Sequence, residues 1–290
     1  MEKTITRRDF MRKTAYVAFG AAIGLKIEPL QKTTVILIRD KNALDNKAKV
    51  DEKIVQHMID KAVMTLTGEN DAVRAFERII KPDDIVGIKS NVWAYIPTPY
   101  EMEKAIKRRV LDVGVKKKNI SIDDRGVLRN PVFKNATAII NVRPVRTHYW
   151  SGIGGCIKNL IMFAPSPPRY HPDSCADLAL VWKLPVVKGK VRLNILSALT
   201  PQFHGRGPHH YDRRYVWNYN GIIVGKDPVA VDSVGLELIK AKRKEYFGEE
   251  IQFSTLPKHI RVADEKHHLG ISDINQIELI KLGWQDDVLI

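Results

Sequence analysis

Most of the side chains that could do chemistry lie within one short stretch of the chain, residues 141–175. This stretch holds two histidines, both cysteines of the chain, four arginines or lysines and a cluster of glycines. Imidazoles transfer protons near neutral pH, and basic side chains hold anionic groups through charged hydrogen bonds. The stretch therefore predicts a site for a small ligand, with the rest of the chain as its scaffold.

The first hypothesis is a basic site for a small anionic ligand. Fixed positive charge, side-chain amides and the backbone amides of a glycine-rich segment would hold such a ligand. We expect these contacts from Lys89, Asn91, Arg146, Gly155, Asn159 and Arg169. The hypothesis covers both a binding protein and an enzyme that performs acid–base or redox chemistry on the ligand.

Four residues are the candidates for catalytic roles in this site. His148 and His171 would move a proton near neutral pH. Lys158 stands out because it lies within an otherwise apolar segment, where a solvated lysine is not expected. Asp232 lies among valines and an alanine, and we expect it to orient His148 or Lys158 as a carboxylate orients a general base.

A second hypothesis uses some of the same residues as metal ligands. His148, Cys156, His171 and Cys175 offer imidazole and thiolate groups that suit zinc, copper or iron. Only His171 and Cys175 have helical spacing, and Pro172 disturbs a helix between them. Alternative ligands from a later loop are His204, His209 and His210.

The cysteine count limits the redox chemistry of this chain. Two cysteines cannot supply the four thiolates of an iron–sulfur cluster, so no such cluster is expected from this chain alone. Cys156 and Cys175 could close a short disulfide loop, but buried free thiols are the interpretation we favour.

Strands and helices alternate along the chain and must position these groups. Short β-branched runs predict strands at residues 33–40, 85–88, 137–142 and 191–196, with amphipathic helices between them. This alternation predicts a single α/β domain with a mainly parallel central sheet and helices on both faces. Lys89 and Asn91 directly follow the second strand, at the carboxyl end where open α/β sheets place ligand contacts.

Several local elements are expected around the site. Residues 150–163 should form a helix after a glycine-rich start, and residues 174–182 a second helix capped by Ser174. Asp123 and Asp124 precede a glycine and are interpreted as a turn. Residues 200–210 read as a polar loop over the site, and Asp227 as the cap of a long helix.

The net positive charge limits which classes of ligand or macromolecular partner are expected. The chain has 290 residues and a formal net charge of +14, which favours an anionic partner or substrate. Nucleic acid is not expected, because no basic run is interleaved with aromatic residues. The sequence also has no nucleophile elbow, Walker A loop or dinucleotide glycine fingerprint, which argues against the common hydrolases, NTPases and dinucleotide enzymes.

The N-terminal residues indicate the cellular location of the protein. Adjacent Arg7 and Arg8 are followed by Phe10, Lys13 and an apolar segment at residues 15–25, and together they resemble a twin-arginine export signal. We therefore expect residues 1–30 to be this signal, residues 31–290 to be the α/β domain, and the protein to be periplasmic or otherwise extracytoplasmic. The resemblance implies the twin-arginine export machinery as a partner and export in the folded state. Removal of the segment and its retention as an anchor both stay open, because no clean cleavage site follows.

Three segments resemble a known family when they are taken in order. They are residues 86–91 (VGIKSN), residues 146–159 from Arg-Thr-His to Lys-Asn, and residues 225–232 (GKDPVAVD), with residues 268–273 as a fourth likeness. They resemble the domain of unknown function 362 family over about residues 33–283. Members often carry a ferredoxin-like module, which we do not expect here. The resemblance implies a fold and a site location but no activity, so a metal-binding protein or a docking subunit of an envelope redox complex remains the alternative.

Overall fold

The computed structural model describes residues 32–207 and 211–290. Residues Thr33–Ile290 form one compact unit around a single sheet. Its strands are β1 (Thr33–Arg39), β2 (Val86–Lys89), β3 (Ile120–Asp123), β4 (Ala138–His148), β5 (Gly152–Gly154), β6 (Val191–Gln202), β7 (Gly221–Gly225) and β8 (Ile277–Gly283). The expected signal segment lies outside the described residues.

The sheet has the order β3-β2-β4-β6-β7-β1-β8, and β5 pairs with β4 beside this path. Parallel pairs join β2 to β3 and β4, β4 to β6, and β1 to β8. Only β7 and β5 run antiparallel to their neighbours among the described strands. The prediction of a mainly parallel α/β sheet is therefore confirmed.

Both faces of the sheet are covered. In β1, Ile36 and Ile38 enter one apolar cluster, whereas Val35 and Leu37 enter another on the opposite face. Successive side chains of a strand point to opposite faces, so a strand that is apolar throughout is buried on both sides. The β-branched runs of the sequence reflect this double burial.

The helices between the strands supply the two coverings. They are α1 (Glu52–Thr67), α2 (Ala72–Glu77), α3 (Tyr100–Asp112), α4 (Pro131–Lys134), α5 (Cys156–Asn159), α6 (Pro172–Cys175), α7 (Ala179–Trp182), α8 (Pro228–Phe247) and α9 (Lys258–Glu265). Helices α1 to α3 pack on one face and α8 packs on the other. Asp227 caps α8 as predicted, because its carboxylate accepts hydrogen bonds from the amides of Val229 and Ala230. No helix in the described part of the chain is long and apolar enough to cross a membrane.

The segment after β4 differs from its prediction. Residues 152–154 form strand β5, which pairs with the end of β4, and only the four residues of α5 are α-helical before a 3₁₀ turn at Leu160–Phe163. Glycines contribute little to a helix, and here their backbone groups find partners on β4 instead. The helix predicted after the glycine-rich start therefore begins at Cys156, and it is α-helical for four residues only.

Two further local predictions are corrected. Ser174 is not a helix cap, because Asp173, Ser174 and Cys175 have φ angles of 47°, 58° and 62° and break the predicted helix into α6 and α7. Residues 200–202 belong to strand β6 rather than to the expected loop. Residues 208–210, with two of the alternative metal ligands, lie outside the described residues.

Candidate functional site

The carboxyl ends of β2, β3 and β4 meet at one edge of the sheet. A cavity of about 150 Å³ opens there and is lined partly by six predicted site residues, Asn91, Arg146, His148, Lys158, Asn159 and His171. Parallel strands end at the same edge, so residues far apart in sequence converge on it. Lys89 lies against the cavity wall through its contacts with Asp124 and Asn159, whereas Arg169 is exposed on the turn Pro167–Tyr170.

Lys89 forms a buried ion pair. Its Nζ lies 2.5 Å from Oδ1 of Asp124 and donates a second hydrogen bond of 2.7 Å to the Ser90 carbonyl. Burial lowers the pKa of Lys89 to about 8, although Asp124 opposes the shift. Burial raises the pKa of Asp124, but Lys89 and the Val92 amide outweigh it, so the net pKa lies below its usual value. Both partners are therefore charged at neutral pH.

Asn159 holds the strand ends together. Its Nδ2 donates to Oδ1 of Asn141 at 2.8 Å, and to the carbonyls of Lys89 and Val142 at 3.1 Å each. Asn141 in turn donates to Asn194 on β6 at 3.0 Å. The amide network ties α5 to β2, β4 and β6, and it fixes the wall of the cavity because every member is hydrogen-bonded.

Two arginines of β4 line the cavity without a carboxylate partner. Arg146 donates to the Ile96 carbonyl at 2.7 Å and to Oδ1 of Asn91 at 2.9 Å. Arg143 donates only a long hydrogen bond, 3.5 Å, to the Gly155 carbonyl. The Nε atoms of both are buried without a hydrogen-bond partner among the described residues, and burial lowers the pKa of both guanidinium groups. Neither guanidinium forms an ion pair within the described part of the chain.

Arg143 and Arg146 line the same cavity although they lie three residues apart in β4. Residues three apart in a regular strand point to opposite faces. The apolar neighbours follow this alternation, since Val142 enters one apolar cluster and Val145 enters the cluster on the other face. The two arginines therefore reach the cavity from opposite faces of β4.

Lys158 is the second buried lysine of the site, with 3 % of its surface exposed. Its Nζ lies 3.7 Å from Sγ of Cys175. Burial lowers the pKa of Lys158 to about 8, Cys175 opposes this shift, and Arg143 adds to it. His171 lines the same cavity, and burial together with Lys158 lowers its pKa to about 4. At neutral pH this imidazole is uncharged.

Asp232 acts on the backbone that carries Lys158. Its two carboxylate oxygens accept hydrogen bonds from the amides of Cys156, at 2.6 Å, and Ile157, at 2.9 Å, at the start of α5. A Cβ atom on Gly155 would collide with this carboxylate, so a glycine is required at that position. Burial raises the pKa of Asp232 to about 7. Asp232 thus positions α5, and no hydrogen bond joins it to Lys158.

The candidate metal ligands have other contacts. His148 Nδ1 accepts from the Trp150 amide at 3.2 Å, and the His171 ring stacks on Trp150 with centroids 4.1 Å apart. Cys156 and Cys175 are buried free thiols, as expected from the sequence. Across residues 32–207 and 211–290, no group of three or more His, Cys, Asp or Glu side chains is arranged to hold a metal ion. The metal hypothesis stays a prediction.

The site lies mostly inside a stretch that is similar to a catalogued family. Residues 112–237 match the model of the family described as Domain of unknown function (DUF362). No curated protein and no solved structure matches the chain. The matched stretch contains Asp124, both cavity arginines, Lys158 and Asp232, while Lys89 and Asn91 precede it.

Several residues of the site are not predicted from the sequence, although most of them lie within the DUF362 match. The turn interpretation suits Asp123, which accepts from the Gly126 amide, but Asp124 is the buried partner of Lys89. Its position one residue past the end of a parallel strand was the available signal. The other missed members of the cavity wall are Trp93, Arg125, Arg143, Trp150, Ile161, Met162 and Pro167. His259 is buried nearby with no hydrogen-bond partner for either ring nitrogen among the described residues.

Proposed function

We propose that the cavity binds a small anionic ligand between Arg143, Arg146 and Lys158. The observation that carries this proposal is that no carboxylate of the described residues forms an ion pair with either buried arginine, although the charges of Asp124 and Asp232 act on Arg143 and that of Asp124 acts on Arg146. Buried charges in proteins are normally paired, because an unpaired charge away from water is costly. An anionic ligand would supply the missing charge.

Arg243 is a buried arginine outside the cavity whose Nε likewise has no hydrogen-bond partner among the described residues, yet its other donors are satisfied. Arg243 donates to the carbonyls of Phe203, Ile251 and Gln252, and its guanidinium lies 4.6 Å from the centre of the Phe253 ring. Carbonyl acceptors and an aromatic face satisfy such a group without a counter-ion. Arg143 has a single long hydrogen bond, which leaves most of its donors for a bound anion.

The cavity also limits what the ligand can be. Its volume of about 150 Å³ suits a molecule of few heavy atoms rather than a nucleotide or a peptide. Planar guanidinium groups bind carboxylate and phosphate oxygens in pairs. Lys158, whose pKa is lowered to about 8, would exchange protons with the ligand near neutral pH, whereas His171 stays uncharged. The ligand class is therefore a small carboxylate or phosphate.

Ligand-induced stabilisation tests the proposal directly. Thermal unfolding is measured with increasing inorganic phosphate, sulfate, acetate or pyruvate, since a ligand that binds only the folded protein raises its Tm. We expect at least one anion to raise the Tm of the wild type but not of the Arg143→Gln variant. The matched control is Arg109→Gln. Arg109 on α3 is paired with Asp60 on α1, and neither residue lines the cavity, so this change should not affect binding. Equal shifts in all three proteins, or none with any anion, would refute the anion site.

Export is a separate proposal that rests on the N-terminal sequence. We propose that the pair Arg7 and Arg8 directs the chain to the twin-arginine route, as its resemblance to such signals implies. Cell fractionation of the full chain tests this, with both arginines changed to lysine as the control. The wild type should reach the extracytoplasmic fraction and the variant should not. Elemental analysis of the exported protein decides the metal hypothesis in the same preparation.

A further inference from the structure

Lys158 is chemically unlike the other buried lysine of the site. The Nζ of Lys89 meets three oxygen acceptors, Asp124 Oδ1, the Ser90 carbonyl and Asn159 Oδ1. The hydrogen bond of the Lys158 Nζ is made to a thiol sulfur, Cys175 Sγ, at 3.7 Å. A thiol is a weak acceptor and does not hold an ammonium proton as a carboxylate does. Lys158 thus has an amine on the cavity wall that no carboxylate of the described residues keeps protonated.

Reactive lysines in proteins share this environment. A lysine that is desolvated and lies next to another cationic group has more of the neutral amine, which is the nucleophile. Lys158 meets both conditions, since it is buried and Arg143 lies close enough to lower its pKa further. Its cavity also contains His171, whose ring is uncharged at neutral pH and so adds no positive charge beside the amine.

We propose that Lys158 is a nucleophilic amine that forms a Schiff base with a small oxo acid whose carboxylate is bound by Arg143 and Arg146. This inference rests on the proposed anion site and names its ligand class. A 2-oxo acid fits because its carboxylate and its carbonyl are adjacent, and Arg143, Arg146 and Lys158 line the same small cavity. The cavity volume of about 150 Å³ favours short members of the class.

The proposed step balances without an oxidant or a reductant. The nitrogen lone pair of Lys158 attacks the carbonyl carbon, and the electrons of the C=O bond move to oxygen. One proton passes from nitrogen to that oxygen. The resulting carbinolamine loses water to give the carbon–nitrogen double bond. The sum is one amine and one carbonyl to one imine and one water.

Reductive trapping tests the inference. The folded protein is incubated with pyruvate and sodium cyanoborohydride, and the modified residues are located by peptide mass mapping. We expect an increment of about 72 Da on Lys158, from a pyruvate carbon skeleton joined as a secondary amine. Lys89 is the internal matched control and should stay unmodified, because it is buried but paired. Lactate, which has no carbonyl, should give no adduct.

Variants show whether the arginines guide the reaction. Lys158→Arg, checked for folding by circular dichroism, should lose the adduct. Arg143→Gln should slow trapping with pyruvate by about tenfold or more, because the carboxylate loses its anchor. The same variant should lose much less of its rate with neutral acetaldehyde, because that reaction needs no carboxylate anchor and only the smaller effect of Arg143 on the pKa of Lys158 is lost. An adduct spread over surface lysines alone, or one unchanged by Arg143→Gln, would overturn the inference.

Failure of this inference is distinguishable from failure of the anion site. If pyruvate raises the Tm of the wild type but leaves Lys158 unmodified, the Schiff base is refuted and the anion site stands. If no anion raises the Tm and pyruvate gives no adduct, both proposals are refuted. If acetaldehyde alone modifies Lys158, the lysine is reactive but the oxo-acid assignment is wrong.

Discussion

The two buried lysines mark two halves of the site. We call the half around Lys89 the closed half and the half around Lys158 the open half. On the side of β2 and β3, Lys89 is neutralised by Asp124 within 2.5 Å. On the side of β4 and α5, Lys158 lies near Arg143 with only a thiol as its hydrogen-bond acceptor. Burial lowers the pKa of both amines to about 8, yet within residues 32–207 and 211–290 a carboxylate pairs with Lys89 and none pairs with Lys158. Similar burial with different partners separates a structural charge from one that is kept for a ligand.

Among the variants that test this comparison, the one without Asp124 should show the largest change in unfolding free energy. The Asp124→Ala variant leaves Lys89 buried without its partner, and breaking a buried ion pair in this way costs about 3–5 kcal/mol of unfolding free energy. Urea denaturation measures the loss. Asp123→Ala is the control, because Asp123 is partly exposed and accepts hydrogen bonds in a turn. Equal losses of unfolding free energy in the two variants would mean that the Lys89–Asp124 ion pair stabilises the fold no more than the turn contacts of Asp123 do.

Replacing each lysine by methionine should give effects of opposite sign. Lys158→Met removes a buried charge that has no carboxylate partner, so we expect a gain of about 2 kcal/mol in unfolding free energy at pH 7. Lys89→Met leaves Asp124 unpaired and should lose stability instead. Both are measured by urea denaturation without added anions. A loss in both variants would show that Lys158 has a structural role like that of Lys89.

The gain from Lys158→Met should depend on pH. Lys158 faces Cys175, Arg143, His171 and His259, and its pKa falls from 10.5 to about 8, mainly through burial. Because the folded-state pKa lies below the unfolded value, the cost of the charged amine is complete below pH 8. That cost disappears as the pH rises towards 10.5. The difference between variant and wild type, about 2 kcal/mol at pH 7, should therefore shrink over this range, and a constant difference would contradict the assignment.

The smallest change in unfolding free energy is expected from replacing His259. Both of its ring nitrogens are buried without a partner among the described residues, and burial lowers its pKa to about 3, with Lys158 and Arg143 adding to the effect. His259→Leu removes these unsatisfied groups and should raise the unfolding free energy by up to about 1 kcal/mol. A loss of unfolding free energy would instead show that the imidazole makes a contact that stabilises the fold.

The sequence was most informative where local pattern and structure coincide. The β-branched runs located the strands, and Lys89 and Asn91 at the end of one run located the edge of the sheet that carries the cavity. Neighbouring strands then brought His148, Lys158 and His171 to the same place. The alternation of elements was sufficient for this, because parallel strands all end at one edge.

The missed residues depend on pairing between distant segments. Arg143 lines the same cavity as Arg146 although the two lie three residues apart in β4, which no local pattern of β4 reveals. Asp124 was interpreted as a turn because the partner that makes it structural, Lys89, is 35 residues away. The glycines at residues 152–154 form a strand because β4 offers them hydrogen-bond partners. Such outcomes depend on tertiary contacts rather than on propensity.

The position of β1 has a consequence for synthesis of the chain. Its two neighbours in the sheet, β7 and β8, both come from the last quarter of the sequence. The apolar row Val35 to Ile38 must therefore wait, without its strand partners, until nearly all of the chain has left the ribosome. A run of this composition is prone to pair with other nascent chains while it waits. The first strand is thus the segment for which protection by a chaperone matters most.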